Sequence, residues 1–367
     1  MSPASAEAGR PGSLPRRSLL RGAAALAAVP VVGVAALTAG CGAGRDGRVG
    51  LNVAGAEFEV GGRVDPDTTF ALLADRGYDL VRLPFLWESV QPDLGGALDA
   101  AYVAELQAAV LRCTSRGMAC VLDVHNYGRF REQPVGSPQV PHAAFADLWG
   151  GLAGALGTDE RVELGLMNEP HDMPDGARGW ERAAQAALDA VRSAGSRAWV
   201  WVAGERWSSA ASWPTTHPRW WIEDPLDRSG PEAHYYFDVD NSHRGTYPAT
   251  YADDDARARR DGWDSLAAKV DAELGGFLAW CGEQDVRGLL GEVGWPSGEP
   301  SAAHPGDWPL WNRLGARAYA QVLEGGVDVA GWAAGERWGE DYALSVYLGS
   351  PQREATSIAR VVEPARR

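Results

Sequence analysis

Short apolar runs alternate with longer amphipathic stretches along most of this 367-residue chain. Apolar and β-branched side chains dominate the runs, as in buried strands. Between the runs, apolar positions recur every three or four residues, as on one face of a helix. Eight runs are predicted to be strands, at 49–54, 79–84, 119–124, 162–167, 198–203, 233–237, 288–291 and 329–333. The clearest predicted helices are 99–116, 178–194, 263–284 and 310–324.

This order of strands and helices predicts the fold class. Eight strands joined by helical crossovers close best as a parallel α/β barrel, the (β/α)8 or TIM barrel. Residues 50–367 contain no Pro/Ser-rich linker, so we expect them to form one domain. Long segments follow the third, fifth, sixth and seventh predicted strands, and in this fold such loops build the functional face.

The first 40 residues have the pattern of an export signal. The pair Arg16-Arg17 precedes an Ala/Val/Leu-rich stretch at 22–37, and its small residues fit poorly with a permanent membrane span. The segment that ends at Cys41 resembles a lipoprotein processing site, although the usual leucine stands one place too early, at Leu37. We predict a twin-arginine signal at 1–40, a short tether at 41–49 and lipidation of Cys41. Ordinary cleavage and free secretion is the alternative; either way the protein is expected outside the cell or on its surface.

The net charge limits the classes of partner, and the cysteine spacing bears on metal binding. A formal net charge of −15 disfavours nucleic acid or an anionic membrane as the main partner, whereas a neutral polysaccharide is compatible with it. We expect a monomer whose membrane contact is limited to the N-terminal lipid. Cys113, Cys120 and Cys281 lack metal-ligand spacing and are predicted to be buried thiols. The sequence has no phosphate-binding glycine loop and no metal motif, so neither a cofactor nor a metal is expected.

The chain contains 16 tryptophans, more than a core of this size needs. Flat apolar rings at a cleft suit the C–H faces of sugars, and packing in the core is the alternative. Both interpretations stay open for the tryptophans near predicted strand ends and in loops, which are Trp87, Trp207, Trp213, Trp220, Trp221, Trp295, Trp332 and Trp338.

Two glutamates follow predicted strands at positions where chemistry is expected. Glu169 comes after the fourth strand and Glu292 after the seventh. Because the carboxyl ends of parallel barrel strands meet at one face, both carboxylates should lie in a shared cleft. Two facing carboxylates in a cleft lined with tryptophan are the equipment for breaking a glycosidic bond.

Seven short motifs, each at a predicted strand end, occur in an order that resembles glycoside hydrolase family 5, the large cellulase family. The motifs are Gly50-Leu-Asn-Val-Ala-Gly, Val81-Arg-Leu-Pro-Phe, Val124-His-Asn-Tyr-Gly-Arg, Met167-Asn-Glu-Pro-His, Glu232-Ala-His-Tyr-Tyr-Phe-Asp, Gly291-Glu-Val-Gly and Gly331-Trp-Ala-Ala-Gly. Each motif alone is weak, but together they extend over most of residues 50–350. The loops resemble those of secreted endoglucanases more than those of other branches.

The resemblance implies a retaining mechanism with Glu292 as nucleophile and Glu169 as acid/base. Such a mechanism needs carboxyl groups about 5–5.5 Å apart and different pKa values for the two. Arg82 resembles the arginine that keeps the nucleophile ionised, although it could instead close a structural ion pair. Tyr236 should hydrogen-bond the nucleophile, and His234 should orient the region of the acid/base.

The same resemblance implicates residues that bind the sugar. His125 and Asn168 should contact hydroxyl groups, with Asn168 at the 2-OH, and Asn126 belongs to the same binding or supporting set. Trp332 should form the stacking floor beside the cleaved bond, with core packing as the alternative. Trp207 falls where the family often places a tryptophan that contacts substrate, and is a candidate for a sugar subsite.

Four further acidic residues follow predicted strands and compete for roles in the cleft. Glu57, Glu88, Glu205 and Glu336 could bind hydroxyl groups or be solvated loop charges. For Glu88 we expect a solvated loop charge.

The resulting prediction is a retaining endo-β-glycosidase, and specifically an endo-β-1,4-glucanase. Mannan, xylan, mixed-linkage glucan or exo-acting specificity are rivals, because loops outside the catalytic motifs select the polymer. A non-catalytic sugar-binding lipoprotein is disfavoured because both glutamates and their expected partners are present. A barrel enzyme of unrelated chemistry is a third possibility, since fold alone implies little about function.

Overall fold

The computed structural model describes residues 47–156, 159–241, 250–296, 307–338, 342–349 and 354–364, which form a closed barrel of eight parallel strands surrounded by helices. The strands are β1 Val49–Val53, β2 Leu80–Phe85, β3 Ala119–Val124, β4 Val162–Gly165, β5 Trp199–Ala203, β6 Ser229–Tyr236, β7 Leu289–Gly294 and β8 Asp328–Ala334. Each strand pairs with the next along the chain, and β8 pairs with β1 to close the barrel. The predicted fold class is confirmed.

Every predicted strand coincides with a barrel strand to within a few residues. The largest difference is β6, which begins at Ser229, four positions before the prediction. Its first residues include Gly230 and Pro231, residue types that are uncommon inside strands and weaken the strand signal. Gly230 is needed there, because a Cβ atom would lie 2.1 Å from the carbonyl oxygen of Arg287.

Seven helices of nine residues or more fill the described crossovers. They are α1 Asp67–Asp75, α2 Ala100–Thr114, α3 His142–Ala155, α4 Gly176–Ser193, α5 Tyr251–Arg260, α6 Leu266–Gln284 and α7 Trp308–Glu324. Short helices cover Trp87–Val90, Trp213–Thr216 and Ala359–Val362, and two-residue ribbons pair Arg129–Phe130 with Gln133–Pro134 and Tyr347–Leu348 with Glu354–Ala355. The four predicted helices are confirmed. The helices α1, α3 and α5 were not among them; in α3, three internal glycines weaken the helical signal.

Buried ion pairs close the N-terminal end of the barrel. The guanidinium of Arg48 lies 2.8 Å from the carboxylate of Glu163 and 2.9 Å from that of Asp328, and the indole of Trp201 donates to Glu163 at 2.7 Å. Because this end is packed, ligands can reach the barrel axis only from the opposite face, where the strands end.

Cys113, Cys120 and Cys281 are buried, as predicted. Cys41, the predicted lipidation site, lies outside the described residues, as do the predicted signal at 1–40 and the first part of the tether. Among the helices that the structure describes, none combines the length and the apolar character that crossing a bilayer requires.

Candidate active site

A cleft of about 1400 Å³ opens at the carboxyl ends of the barrel strands. Most of the predicted site residues line it, namely Glu169, Glu292, His125, Asn126, His234, Tyr236, Trp332 and Trp207. Arg82 and Asn168 lie buried directly beneath. Parallel strands therefore gather side chains that are up to 250 positions apart in the chain.

The two glutamates face each other across the floor of the cleft. One oxygen of Glu169, one oxygen of Glu292 and a ring nitrogen of His234 all lie within 4.8 Å of one another. This spacing fits the separation of about 5–5.5 Å between the carboxyl groups of retaining glycosidases, and not the roughly 6.5–9.5 Å of inverting enzymes. Glu169 has a φ of 41°, in the left-handed region that is uncommon for non-glycine residues.

The carboxylate of Glu292 is held by donors on both oxygens. Arg82 donates to Oε1 at 3.1 Å and the hydroxyl of Tyr236 donates to Oε2 at 2.6 Å. Burial alone would raise the pKa of Glu292, but the positive charges of His234, Arg82 and His125, together with the Tyr236 hydrogen bond, hold it well below its usual range. Glu292 is therefore ionised and positioned at neutral pH, as a nucleophile must be.

Arg82 is the centre of the buried network below the cleft. Its guanidinium donates to Asn52 at 2.9 Å, to Asn168 at 2.8 Å and to Glu232 at 2.7 Å, and lies 3.0 Å from Asp123. The side chain has no solvent exposure. Arginine suits this position because its planar group offers five donors in a fixed geometry and stays charged when buried.

His234 connects the two glutamates. Its Nδ1 lies 2.8 Å from Oε1 of Glu169 and 3.5 Å from Oε2 of Glu292. Burial opposes its charge, but Glu292, Glu169 and Glu232 together raise the pKa of His234 to about 10. His234 is thus an imidazolium at neutral pH, and its Nδ1 proton is directed at Glu169.

A second histidine stands beside a tryptophan on the other wall. His125 Nδ1 lies 2.8 Å from Asp123, and its ring stacks on Trp332 with centroids 5.8 Å apart and planes at 22°. Burial opposes its charge, but Asp123 more than compensates and raises the pKa of His125. The indole of Trp332 donates to the hydroxyl of Tyr342 at 2.8 Å, which fixes the ring plane.

Comparison with known proteins agrees with this geometry. The profile of the family described as Cellulase (glycosyl hydrolase family 5) matches residues 44–336. The chain belongs to glycosyl hydrolase family 5. The resemblance inferred from the motifs is therefore confirmed.

Individual members of the family resemble this chain over different lengths. The Manganese dependent endoglucanase Eg5A of Phanerodontia chrysosporium is 32% identical over 54% of this chain and 55% of its own length, so the chain spans about half of that relative. The structure of XacCel5A in complex with cellopentaose has a TM-score of 0.73 at 29% identity, covering 87% of this chain and 99% of XacCel5A. Pseudomonas stutzeri endoglucanase Cel5A, solved with cellobiose, has a TM-score of 0.74 at 30% identity, covering 86% and 91%.

The two remaining predicted residues of this family 5 site, Trp207 and Asn126, differ in their contacts. Trp207 lines the cleft with 50% of its surface exposed and stacks on His171, with centroids 4.6 Å apart. Asn126 uses its amide for structure: it accepts from the backbone N–H of Trp87 and donates to Glu88, each at 2.7 Å. Asn126 therefore holds two loops together at the edge of the cleft.

Of the four competing acidic residues, Glu57 and Glu88 line the cleft, whereas Glu205 and Glu336 are absent from the lining that the described residues form. The prediction that Glu88 is a solvated loop charge is wrong. Glu88 is buried and accepts hydrogen bonds from Asn126 and from the backbone N–H of Arg131. The loop after β3 folds over the carboxylate of Glu88. The residues next to Glu88 in the sequence give no sign of this contact.

Glu169, His234 and Glu292 are close enough together to surround one cation. A histidine ligand must be neutral, however, and the proton on Nδ1 of His234 is held by two carboxylates. A cation would have to displace this proton and occupy both glutamates. Because the positive charge of His234 already offsets the negative charges of the two glutamates, the arrangement favours an ion-pair cluster over a metal site.

Several residues that complete the site were not selected from the sequence. Asn52 donates to the carbonyl of Gly291 at 2.8 Å, directly before Glu292. Asp123 and Glu232 supply the buried negative charge beside the histidines. All three belong to strands. Asp123 and Glu232 each lie two positions before a selected histidine, on the same side of the strand, and Asn52 belongs to a quoted motif. The two-residue period of a strand is therefore the signal that could have found them.

Proposed function

We propose that this family 5 chain is a retaining endo-β-1,4-glucanase. The observation that carries the proposal is the pair Glu169 and Glu292, held at a retaining separation in an open cleft. Glu292 attacks the anomeric carbon while Glu169 protonates the leaving oxygen. A covalent glycosyl-enzyme forms, and Glu169 then deprotonates the water that hydrolyses it.

The supporting residues act on these two carboxylates or on the sugar. Arg82 and Tyr236 keep the nucleophile ionised and oriented. Asn168 has its Oδ1 fixed by Arg82 at 2.8 Å, which leaves its other amide atom as the group for a sugar hydroxyl. His125 and Trp332 form a polar edge and an apolar floor on the same wall of the cleft.

Aromatic rings on opposite sides of the barrel mouth support endo action. Rings with centroids 4.6–6.4 Å apart follow one another in the order Phe58, Trp338, Trp332, His125, Tyr127, His171 and Trp207. The series begins on the loops after β1 and β8 and ends on the loops after β4 and β5, which are opposite in the strand order. A chain could therefore extend past the cleaved bond in both directions, as an endo-acting enzyme requires.

Cellulose-type β-glucan is the proposed substrate. XacCel5A and Pseudomonas stutzeri Cel5A, which share this fold at 29% and 30% identity, were solved with cellopentaose and cellobiose. We also propose export by the twin-arginine signal and attachment through a lipid on Cys41, on the sequence pattern alone. With a net charge of −15, a neutral polymer stays the favoured partner.

The proposal is tested with a panel of polymers. Viscosity and reducing-sugar release are followed on carboxymethylcellulose, barley β-glucan, glucomannan, mannan and xylan, with Glu169→Gln and Glu292→Gln as controls. Rapid viscosity loss on the glucans that both variants lack is the expected result. Activity on mannan or xylan alone would change the proposed substrate and leave the proposed mechanism intact. Sugar binding without turnover on any polymer would favour the non-catalytic alternative.

Replacement of Trp207 by alanine tests the extended cleft. Removing half-exposed aromatic surface should raise KM for cellopentaose about tenfold with little change in kcat, because stacking is lost but both carboxylates stay in place. Leu111→Ala, which removes an exposed apolar side chain on the outer face of α2, is the matched control and should leave KM unchanged. An unchanged KM in Trp207→Ala would remove this ring from the binding site.

A further inference from the structure

A third glutamate lies directly beneath the catalytic pair. Glu232 on β6 is fully buried; its Oε1 accepts from Nε of Arg82 at 2.7 Å and lies 3.5 Å from Nε2 of His234. Among the described residues, Nε2 of His234 has no hydrogen-bond partner of its own. The Glu232 carboxylate is therefore the counter-charge on the side of His234 that faces away from the cleft.

The backbone of the neighbouring strand makes room for this carboxylate. Ala233 pairs with Leu290, but His234 pairs with Glu292, so the register shifts by one residue at Gly291. A Cβ atom at Gly291 would lie 2.1 Å from Oε1 of Glu232. The shift thus places His234 beside the nucleophile and leaves a space that only glycine permits, and Glu232 fills that space.

Charged groups face His234 from most of the elements packed around it. Glu169 follows β4, Glu292 belongs to β7, Glu232 belongs to β6, and Arg82 on β2 lies behind Glu232. The β5 side contributes the carbonyl oxygen of Ser208, which accepts from the backbone N–H of His234 at 2.8 Å. Burial opposes the charge of Glu232, but Arg82 and His234 lower its pKa, so it is ionised.

The three carboxylates differ in what happens to them during the proposed reaction. Glu169 is protonated when it acts as the acid, and Glu292 loses its charge when it is esterified by the sugar. At each stage one of these two carboxylates is therefore neutral, whereas the charge of Glu232 does not change. Without Glu232, the buried imidazolium would face a single carboxylate at each stage and would hold its proton less tightly.

We infer that Glu232 is a positioning residue that keeps His234 doubly protonated throughout the catalytic cycle. The Nδ1 proton of His234 then always points at Glu169 and stabilises that carboxylate when it becomes the general base. The inference rests on the proposed function only for this effect on turnover, because the protonation of His234 in the free enzyme can be measured directly.

The test is a histidine ¹⁵N NMR titration of the full-length chain. In the wild type both ring nitrogens of His234 should stay protonated at pH 8. Glu232→Gln preserves the acceptor for Arg82 and removes the charge, and should lower the measured pKa of His234 by about one to three. Glu232→Asp, which retains the charge, should restore most of the difference. With Glu232→Gln, kcat should also fall about tenfold at constant KM.

Glu163→Gln is the matched control. Glu163 is another buried glutamate of the same barrel, paired with Arg48 at 2.8 Å at the opposite end. Its replacement should leave the His234 titration unchanged. A neutral His234 in the wild type at pH 8, or equal titrations for the two Gln variants, would overturn the inference. If the titrations follow expectation but no polymer is cleaved, the proposed function fails and the role of Glu232 in holding the proton stands.

Discussion

Replacing Glu292 by alanine should reduce turnover of β-glucan by about four orders of magnitude or more, because the proposed covalent intermediate forms on its carboxylate. The fold should survive, since Arg82 keeps Glu232 and Asp123 as partners at 2.7 and 3.0 Å. Binding of cellopentaose should also be retained, because the aromatic walls of the cleft are untouched. Steady-state kinetics and calorimetric binding measure the two effects separately.

Azide distinguishes loss of the nucleophile from general damage at Glu292. The alanine variant leaves a space beside Arg82 and Tyr236 in which a small anion can bind and attack the anomeric carbon. The expected product is the α-glycosyl azide, because attack comes from the side of the missing carboxylate. Glu292→Gln fills the same space and should show no rescue. A rate close to wild type in the alanine variant, or a β-azide product, would remove Glu292 from the nucleophile's role.

Much of this architecture follows from local sequence. The apolar runs are short and regularly separated, and each β-strand is buried by its neighbours, so the eight strands can be recognised from composition and spacing. Glu169 and Glu292 each follow such a run, which is enough to place both at one face of the barrel. Here local pattern and global topology agree, which is why the fold, and the position of both glutamates in one cleft, could be predicted.

The rest depends on contacts between distant loops. Glu88 looks like a solvated charge in its own sequence, yet the loop after β3 covers it with Asn126 and the backbone of Arg131. Glu232 looks like one more strand residue, and its importance arises from a register shift at Gly291 on another strand. The two-residue strand period places Glu232 on the same side as His234, but a single sequence has no signal for the contacts of Glu88 or Glu232, because their partners lie far along the chain.

Replacing Glu169 by alanine should produce the opposite chemical signature. Cleavage of β-glucan should fall about 10²–10⁴-fold, the usual contribution of a general acid–base group. An aryl cellobioside whose leaving group needs no proton should still form the glycosyl-enzyme with Glu292, so its first step should survive. Both are measured by pre-steady-state and steady-state kinetics.

The configuration of the product formed with azide distinguishes the roles of the two glutamates most clearly. In Glu169→Ala the glycosyl-enzyme on Glu292 is intact, and azide can enter from the side of the missing acid/base. Attack there should release the β-glycosyl azide, with net retention, where Glu292→Ala releases the α-azide. His234 loses its 2.8 Å partner Oε1 in this variant, and the esterified Glu292 is uncharged. Glu232 at 3.5 Å still holds the charge of His234 near the cleft, where it favours entry of an anion. An α-azide from Glu169→Ala would reverse the two assignments, and polymer cleavage at the wild-type rate would exclude Glu169 as the acid.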